Sequence, residues 1–323
     1  MRECPIVDAH HHLWDLQACH YPWLMARGER RFFGDPTPLQ RNYLVADFLL
    51  DASSLPLSAS VHIQVGAAEV DSLRETQWLQ AVADAPASRG MPQGIVAFCD
   101  LSSPAAPQQL AAQAVSGNLR GIRQIIGRAP TEDARHGSDA LLDDPVWRQN
   151  LRQLALLGLS FDLQLIPAQM QRAARVLAAV PELRVALCHC GSPWDRHGPG
   201  WRTWQEGIDA LAALPNVYCK LSGFGMFDPG WSATSVAPAV EHCIAAFGPR
   251  RCMFGSNFPV ERLVSDYSAL WQSYARLSER YSAAARARLF AGTATEFYRL
   301  EPLVAAVAYS SRGAAGASPP RTT

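Results

Sequence analysis

Short apolar segments alternate with helical segments along almost the whole chain, and this alternation limits the folds that are open to it. Eight of the apolar segments have the length and composition of buried strands. They occupy residues 6–12, 60–65, 94–99, 119–124, 160–165, 184–189, 216–221 and 251–256. A helical pattern follows most of them, which is the repeat of a parallel sheet with crossover helices. The pattern predicts an α/β fold, either a closed (β/α)8 TIM barrel or an open doubly wound sheet.

The absence of a phosphate-binding fingerprint favours the barrel. Doubly wound sheets that bind dinucleotides carry a glycine-rich turn after a strand, and no predicted strand here is followed by one.

Local signals also define one helix, because Asp144 is a good N-cap, Pro145 suits the first helical position and Gly158 ends the pattern. We expect one barrel over residues 1–300 and a disordered tail over residues 308–323, which are rich in Ser, Gly, Ala and Pro.

Composition excludes several classes of partner. The 29 basic and 29 acidic residues give a formal net charge of zero, so no overall field attracts nucleic acid or an anionic membrane. No apolar run reaches the length of a membrane span, and the first strand begins too early for a signal peptide. The 8 cysteines form no C-x-x-C pair, which predicts reduced, buried thiols. We predict a cytoplasmic protein that acts on a small-molecule substrate, and the sequence leaves the oligomeric state open.

Two histidines end the first predicted strand. Because side chains alternate along a strand, His10 and His12 lie on one face and His11 on the other. Paired imidazoles at the end of a buried strand can hold a divalent metal, bind an anion or relay a proton. The alternative is a solvated histidine-rich turn.

Polar side chains also end other predicted strands, where the active site of a TIM barrel lies. These candidates are Gln64, Arg123, Gln164, His189, Lys220, Ser222 and Asn257. The guanidinium of Arg123 suits a carboxylate or a carbonyl oxygen, with a salt bridge at the rim as its alternative. His189 precedes a tight turn, and its alternative is a structural histidine bonded to a carbonyl. Lys220 is compatible with anion binding or a place at the rim, and the two glutamines with substrate hydroxyls or barrel backbone groups.

A long loop rich in Arg, Pro and Gly occupies residues 21–38 and includes aromatic residues. Loops of this length inside a compact domain are usually functional. Trp14 precedes this loop and suits either packing or stacking on a ligand.

Five motifs follow one another in the order found in the amidohydrolase superfamily. They lie at residues 8–12, 121–123, 189–193, 220–223 and 254–260. The chain most resembles the amidohydrolase-related (amidohydrolase 2) branch, which includes sugar-lactone and 2-pyrone-4,6-dicarboxylate lactonases. The resemblance covers about residues 6–300. It implies a distorted (β/α)8 barrel of the metal-dependent hydrolase type and hydrolysis of a lactone or another ester-like C–O bond.

The resemblance also implies roles for individual residues. His10 and His12 match the first-strand pair and His189 the sixth-strand histidine, so these three would hold a single divalent ion, zinc or manganese, if one is bound. No signal for a carboxylated lysine is present, so a binuclear centre is not expected. Asn257 stands where the family has the aspartate that activates water. Because an amide cannot accept a proton near pH 7, the base is then a histidine or Glu261.

We therefore predict a carboxylic-ester hydrolase that opens a sugar lactone or a carboxylated lactone. In this hypothesis His10, His12 and His189 surround the carbonyl, Asn257 positions water, and Arg123 stabilises the oxyanion or holds a carboxylate. The predicted substrate-binding residues are Gln64, Gln164, Lys220, Ser222 and Trp14. A metal-dependent decarboxylase of the same superfamily is one alternative, although the missing aspartate counts against it. A non-catalytic barrel that binds a small acid or a carbohydrate is the other.

Overall fold

The computed structural model describes residues 4–129 and 138–301, and its strands form a barrel. Eight parallel strands lie in one sheet in chain order. They are β1 (Ile6–His11), β2 (Leu57–Ile63), β3 (Gly94–Ala97), β4 (Leu119–Ile125), β5 (Ser160–Gln164), β6 (Val185–Leu187), β7 (Val217–Leu221) and β8 (Cys252–Phe254). Each predicted strand is present, so the prediction of a (β/α)8 barrel is confirmed.

The sheet is closed by contacts between β1 and the segment that follows β8. The backbone N–H of Asn257 donates to the carbonyl of His10 at 2.7 Å, and that of His12 donates to the carbonyl of Phe258 at 2.7 Å. A Cβ atom at position 255 would lie 2.7 Å from the Cβ of His10, so Gly255 permits this close approach. The first and last strands therefore hold His10, His12 and Asn257 together.

Helices follow the strands. They are α1 (Pro22–Met25), α2 (Val45–Asp51), α3 (Ser72–Asp84), α4 (Ala106–Gln113), α5 (Pro145–Leu156), α6 (Pro167–Leu177), α7 (Gly198–Ala212), α8 (Ala233–Phe247), α9 (Tyr267–Ser278), α10 (Ala283–Ala287) and α11 (Thr293–Tyr298). Shorter 3-10 segments occupy Thr37–Leu39, Glu69–Asp71, Pro86–Ser88, Ser138–Asp143, His189–Gly191, Phe224–Met226, Pro249–Arg251 and Val260–Leu263. No helix in the described ranges is long and apolar enough to cross a membrane.

The signals predicted for α5 are confirmed. The Asp144 carboxylate accepts a hydrogen bond of 2.7 Å from the backbone N–H of Val146, Pro145 follows as the first helical residue, and Gly158 has a φ of 68°. The apolar spacing over residues 282–297 is that of one continuous helix, whereas in the structure a π-helical turn at Arg288–Gly292 separates α10 from α11. The predicted disordered tail at 308–323 lies outside the described residues.

Seven of the 8 cysteines are buried, Cys4 is half-buried, and all are free thiols, as predicted. The core is mainly apolar and also holds buried polar and charged side chains, among them Asp162. The Tyr298 hydroxyl, on helix α11, lies 2.9 Å from both carboxylate oxygens of Asp162 on β5. This contact joins helix α11 to a strand in the interior of the barrel.

Candidate active site

A cavity of about 600 Å³ opens at the carboxyl ends of the strands. Its walls include five of the predicted site residues, namely His12, Arg123, Gln164, His189 and Asn257. TIM-barrel enzymes hold their active sites at this end of the sheet. The cavity is therefore the candidate active site.

The predicted histidine cluster is present. The ring centroid of His10 lies 5.1 Å from that of His12 and 4.5 Å from that of His189. His11 points to the opposite face of β1, where its ring stacks on Phe48 at 4.1 Å. The alternation of side chains along β1 thus places two imidazoles beside the one that follows β6.

Hydrogen bonds fix the orientation of two of these rings. Nδ1 of His12 lies 2.7 Å from the carbonyl oxygen of Ile63, which can only accept, so Nδ1 carries the proton. Nε2 of His12 then presents its lone pair 3.3 Å from Oδ1 of Asn257. Nδ1 of His189 lies 2.9 Å from the hydroxyl of Ser222. Within residues 4–129 and 138–301, both nitrogens of His10 are buried and have no hydrogen-bond partner.

The turn that presents His189 has an uncommon backbone. Residues His189, Cys190, Gly191 and Ser192 all have φ between 51° and 65°. Three of the four are not glycines, and left-handed conformations at such residues cost roughly 1–3 kcal/mol each. Gly223 leaves room for the histidine, since a Cβ atom there would lie 2.5 Å from Nδ1 of His189. The tight turn predicted after β6 is therefore present.

The three imidazoles are held in their neutral form. Burial lowers the pKa of His10, His12 and His189 well below 6.5, and the nearby Arg123 lowers the pKa of the last two further. A neutral imidazole can accept a proton or bind a metal at pH 7. The three histidines are therefore in the neutral state that proton acceptance and metal binding both require.

Arg123 is a buried cation whose hydrogen bonds go to neutral oxygens. One of its Nη atoms donates to Oε1 of Gln164 at 3.1 Å, and the other donates to the backbone carbonyl of Gln64. Among the described residues, no carboxylate forms an ion pair with it. The guanidinium lines the cavity and can meet a negative oxygen there.

Lys220 is not brought to the cavity. Its Nζ lies 2.5 Å from Oδ2 of Asp162, and both side chains are fully buried. The ammonium also lies 5.0 Å from the ring centroid of Tyr298. The carboxylate of Asp162 comes from the middle of β5, and the ion pair holds the Lys220 side chain inside the barrel, outside the described lining of the cavity.

Other predicted substrate-binding residues support the walls. Gln64 accepts a hydrogen bond of 2.6 Å from the backbone N–H of Gly66 through its side chain. Trp14 is 1% exposed and donates to the carbonyl of Arg41 at 2.6 Å, while Trp23 lines the cavity instead. Ser222 acts through His189, as described above.

Glu261, the carboxyl group considered as a displaced base, lies behind the walls. Its Oε1 accepts hydrogen bonds from the backbone N–H of Gly225 at 2.9 Å and from the indole of Trp231 at 2.7 Å. Burial raises its pKa to about 7. It is absent from the described lining of the cavity, so its carboxyl group does not face the space that a ligand would occupy.

The long loop at 21–38 supplies much of the wall of the cavity. Its contributions are Pro22, Trp23, Ala26, Glu29, Arg30, Arg31, Phe32 and Phe33. Arg128, which follows β4, also lines the cavity. Apart from Trp23, these residues could not be selected individually from the sequence, because the position of a loop side chain depends on contacts that no periodic pattern encodes.

A cluster of three thiols, which was also not predicted, lies next to the turn. Sγ atoms of Cys190, Cys219 and Cys243 all lie within 4.8 Å of one another, and all three residues are buried. Because they come from the turn after β6, from β7 and from α8, their spacing in the sequence gives no sign of the cluster.

Comparison with known proteins identifies the family. The Amidohydrolase family model matches residues 7–300. The chain belongs to the amidohydrolase family. This amidohydrolase is 39% identical over 303 residues to the uncharacterized protein y4mH of Sinorhizobium fredii, covering 93% of this chain and 100% of that one. It is 29% identical to an L-fucono-1,5-lactonase of Burkholderia multivorans, covering 91% of this chain and 96% of the lactonase.

A solved structure shows the same architecture. It is a zinc-bound amidohydrolase from Burkholderia multivorans, with a TM-score of 0.77 and 27% sequence identity. The alignment covers 92% of this chain and 99% of that structure. The predicted membership of the amidohydrolase family is thus confirmed.

The donors in this amidohydrolase fit a divalent metal. His10 has two buried nitrogens without partners, and the lone pair of His12 Nε2 faces the amide oxygen of Asn257. Imidazole nitrogens and amide oxygens are both metal ligands. The amide of Asn257 would bind a metal more weakly than the family aspartate, because it brings no negative charge to the site.

Proposed function

We propose that this amidohydrolase opens the ring of a lactone, either a sugar lactone or a carboxylated lactone, by the attack of water on the ring carbonyl. The observation that carries the proposal is the neutral His189 on the wall of a cavity that also contains a buried guanidinium. The similarity to an L-fucono-1,5-lactonase of Burkholderia multivorans supports the choice of a lactone among ester-like bonds.

The chain's own residues can perform each step. Asn257 holds the attacking water by hydrogen bonds, and Arg123 donates to the carbonyl oxygen as negative charge develops on it. His189 takes the proton from water as the new C–O bond forms. When the tetrahedral intermediate collapses, the ring C–O bond breaks and the leaving oxygen takes that proton from His189. The product is a hydroxy acid.

Ser222 prepares His189 for this role. A hydrogen bond between the hydroxyl and Nδ1 fixes the ring, so that Nε2 is the nitrogen left to act on water. If a divalent ion is bound, His10, His12 and the amide oxygen of Asn257 would hold it and it would supply Lewis-acid polarisation of the carbonyl, while Nε2 of His189 keeps its lone pair for the proton. Arg123 provides a positive charge in the cavity whether or not such an ion is bound.

The test is a pH-indicator screen of the purified protein over aldonolactones and dicarboxylate lactones, with and without chelator. Acid release by the wild type that His189→Ala removes is the expected result. His197→Ala is the matched control, because His197 is exposed and outside the cavity lining. Absence of lactone opening in the wild type, or equal activity in His189→Ala, would overturn the proposal.

A further inference from the structure

Three buried thiols converge behind the turn that presents His189. The Sγ atoms of Cys190, Cys219 and Cys243 all lie within 4.8 Å of one another. A bond between a metal ion and a thiolate is about 2.3 Å long in zinc sites, so sulfurs that share one such ion lie roughly 4 Å apart or less. A small contraction of the cluster therefore lets a single ion bond to all three sulfurs.

The three thiols come from separate elements that already pack together. Cys190 belongs to the 3-10 turn after β6, Cys219 to β7 and Cys243 to α8, and all three are fully buried. The carbonyl of Cys190 accepts a hydrogen bond of 2.7 Å from the indole of Trp204, which holds the turn against α7. The sulfurs are thus positioned before any ligand arrives, and little ordering is left to oppose binding.

The cluster offers three sulfur ligands and lacks a fourth. Within residues 4–129 and 138–301, no other His, Cys, Asp or Glu belongs to the group. Cys252 pairs with Cys219 across β7 and β8, but its Sγ donates to the carbonyl of Cys243 at 3.6 Å. Structural zinc almost always takes four protein ligands. The cluster instead suits a soft ion that is satisfied by three thiolates.

The surroundings of the thiols favour a neutral complex. All three cysteines belong to the main apolar core. Two basic residues that adjoin them in the sequence face other groups. Lys220 lies 2.5 Å from Asp162, and Nε2 of His242 lies 3.0 Å from Oδ1 of Asp209. Three thiolates around a monovalent or divalent ion carry a net negative charge, which is costly to bury. Three thiolates around a trivalent ion carry none.

We propose that the thiol cluster is a site for one trivalent, three-coordinate thiophilic ion, the class to which arsenite belongs. The exchange balances without an oxidant or a reductant. As(OH)3 loses its three hydroxide groups, the three thiols lose their protons, three As–S bonds form and three water molecules leave. None of the three cysteines is in the described lining of the cavity, so the site is separate from the lactone chemistry proposed there.

Native mass spectrometry of the intact full chain tests the uptake of arsenic. The protein is reduced with a phosphine, and a chelator is present to remove divalent ions. Because the thiols are buried, arsenite reaches them through local opening of the turn, and a long incubation is used. We expect one arsenic per chain and three fewer free thiols than the 8 of the untreated protein. No uptake, or the protection of fewer than three thiols, would overturn the proposal.

Cysteine variants locate the arsenic. Cys243→Ala leaves two of the three sulfurs and should weaken arsenite binding about 100-fold, because the third As–S bond forms within an already bound complex. Cys99→Ala is the matched control, since Cys99 is also a buried thiol and lies outside the cluster. If Cys243→Ala does not fold, Cys219→Ala makes the same test on β7. Wild-type affinity in a folded cluster variant would place the arsenic elsewhere and refute the assignment.

Competition with cadmium separates a trivalent from a divalent ion. Cadmium is thiophilic but divalent, so its complex with three thiolates keeps a negative charge in the apolar core. The reduced wild type is given equal concentrations of arsenite and cadmium without chelator. We expect arsenic to remain bound and the ultraviolet absorption of a cadmium–thiolate complex to be absent. Displacement of arsenic by cadmium, with an absorption band that Cys243→Ala removes, would assign the cluster to a divalent ion instead.

Discussion

Nε2 of His12 and Oδ1 of Asn257 face each other across 3.3 Å, and both atoms present lone pairs when the ring is neutral. Two acceptors at this distance need a cation between them or a rotated amide. A divalent metal satisfies both atoms at once, and the buried nitrogens of His10 add further donors. With a metal bound there, Asn257 would be a neutral ligand in a position where the resemblance to the family implies an anionic one.

Asn257→Asp should therefore raise the affinity for zinc. A carboxylate adds a negative charge to a set of neutral imidazoles, and we expect the dissociation constant to fall by about 10-fold or more. The measurement is a competition titration against a chelating indicator at constant pH. An unchanged dissociation constant would show that the side chain at position 257 does not contact the metal.

Ser222→Ala should slow the reaction without unfolding the protein. Loss of the hydrogen bond to Nδ1 of His189 frees the ring, and groups that orient an active-site histidine commonly contribute about 10-fold to 100-fold. The loss should appear in kcat with little change in KM, because Ser222 does not line the cavity. Ser54→Ala, at an exposed serine, is the control. A change confined to KM would argue for direct substrate binding by Ser222.

Lys220→Met should be destabilising. It leaves the fully buried carboxylate of Asp162 without its ion-pair partner, at about 3–5 kcal/mol in the free energy of unfolding. Adding Asp162→Asn should recover part of this loss, because the variant then has no isolated charge. Urea unfolding of the single and double variants gives both values. If the single variant keeps wild-type stability but loses substrate affinity, Lys220 binds substrate after all.

Activity should persist below pH 6.5, the ordinary pKa of a histidine side chain. Burial and Arg123 lower the pKa of His189 well below 6.5, so the neutral base remains in place as the pH falls through that value. We expect kcat/KM to stay flat from about pH 8 to about pH 6, with the acid limb lower still. An acid limb centred at 6.5 or above would contradict the role of His189 as the base.

Glu75 provides a test of stability against pH. It is 2% exposed, and burial raises its pKa from 4.5 to about 7. Above pH 4.5 the unfolded chain ionises first, so the wild type loses stability up to about pH 7, by about 3 kcal/mol in total. Glu75→Gln removes this dependence and keeps the oxygen that accepts from the backbone N–H of Val65.

The measurement is the free energy of unfolding of both proteins at several pH values. The stability of Glu75→Gln relative to the wild type should increase from pH 4 to pH 8. Glu206→Gln, at an exposed position, should show no such trend. A constant difference between Glu75→Gln and the wild type would mean that the carboxyl group ionises as easily in the folded protein as in the unfolded one.

Much of the barrel could be predicted from sequence because strand and helix periodicities are local. The same rule placed His10 and His12 on one face and His11 on the other, and the strand ends brought Arg123, Gln164, His189 and Asn257 to the cavity. These residues lie within or next to regular elements, whose side-chain directions follow from the backbone.

The misplaced residues depend on partners far away in the chain. Lys220 also ends a strand, but Asp162, 58 residues away, holds it inside the barrel. Trp14 and Trp23 are equally plausible as ligand contacts in sequence, and only the path of the loop decides that Trp23 reaches the cavity. The arginines of that loop are likewise placed by tertiary contacts, which no single-sequence pattern contains.

The closure of the barrel through His10, His12, Asn257 and Phe258 also sets the time at which the protein becomes competent during synthesis. His12 precedes Asn257 by 245 positions, so the two histidines leave the ribosome well before their partners do. Because nascent domains begin to fold from the N-terminus, β1 lies at the edge of an incomplete sheet until β8 has been synthesised. Premature termination anywhere before position 257 therefore yields a chain that cannot assemble the site, however much of the sheet has already formed.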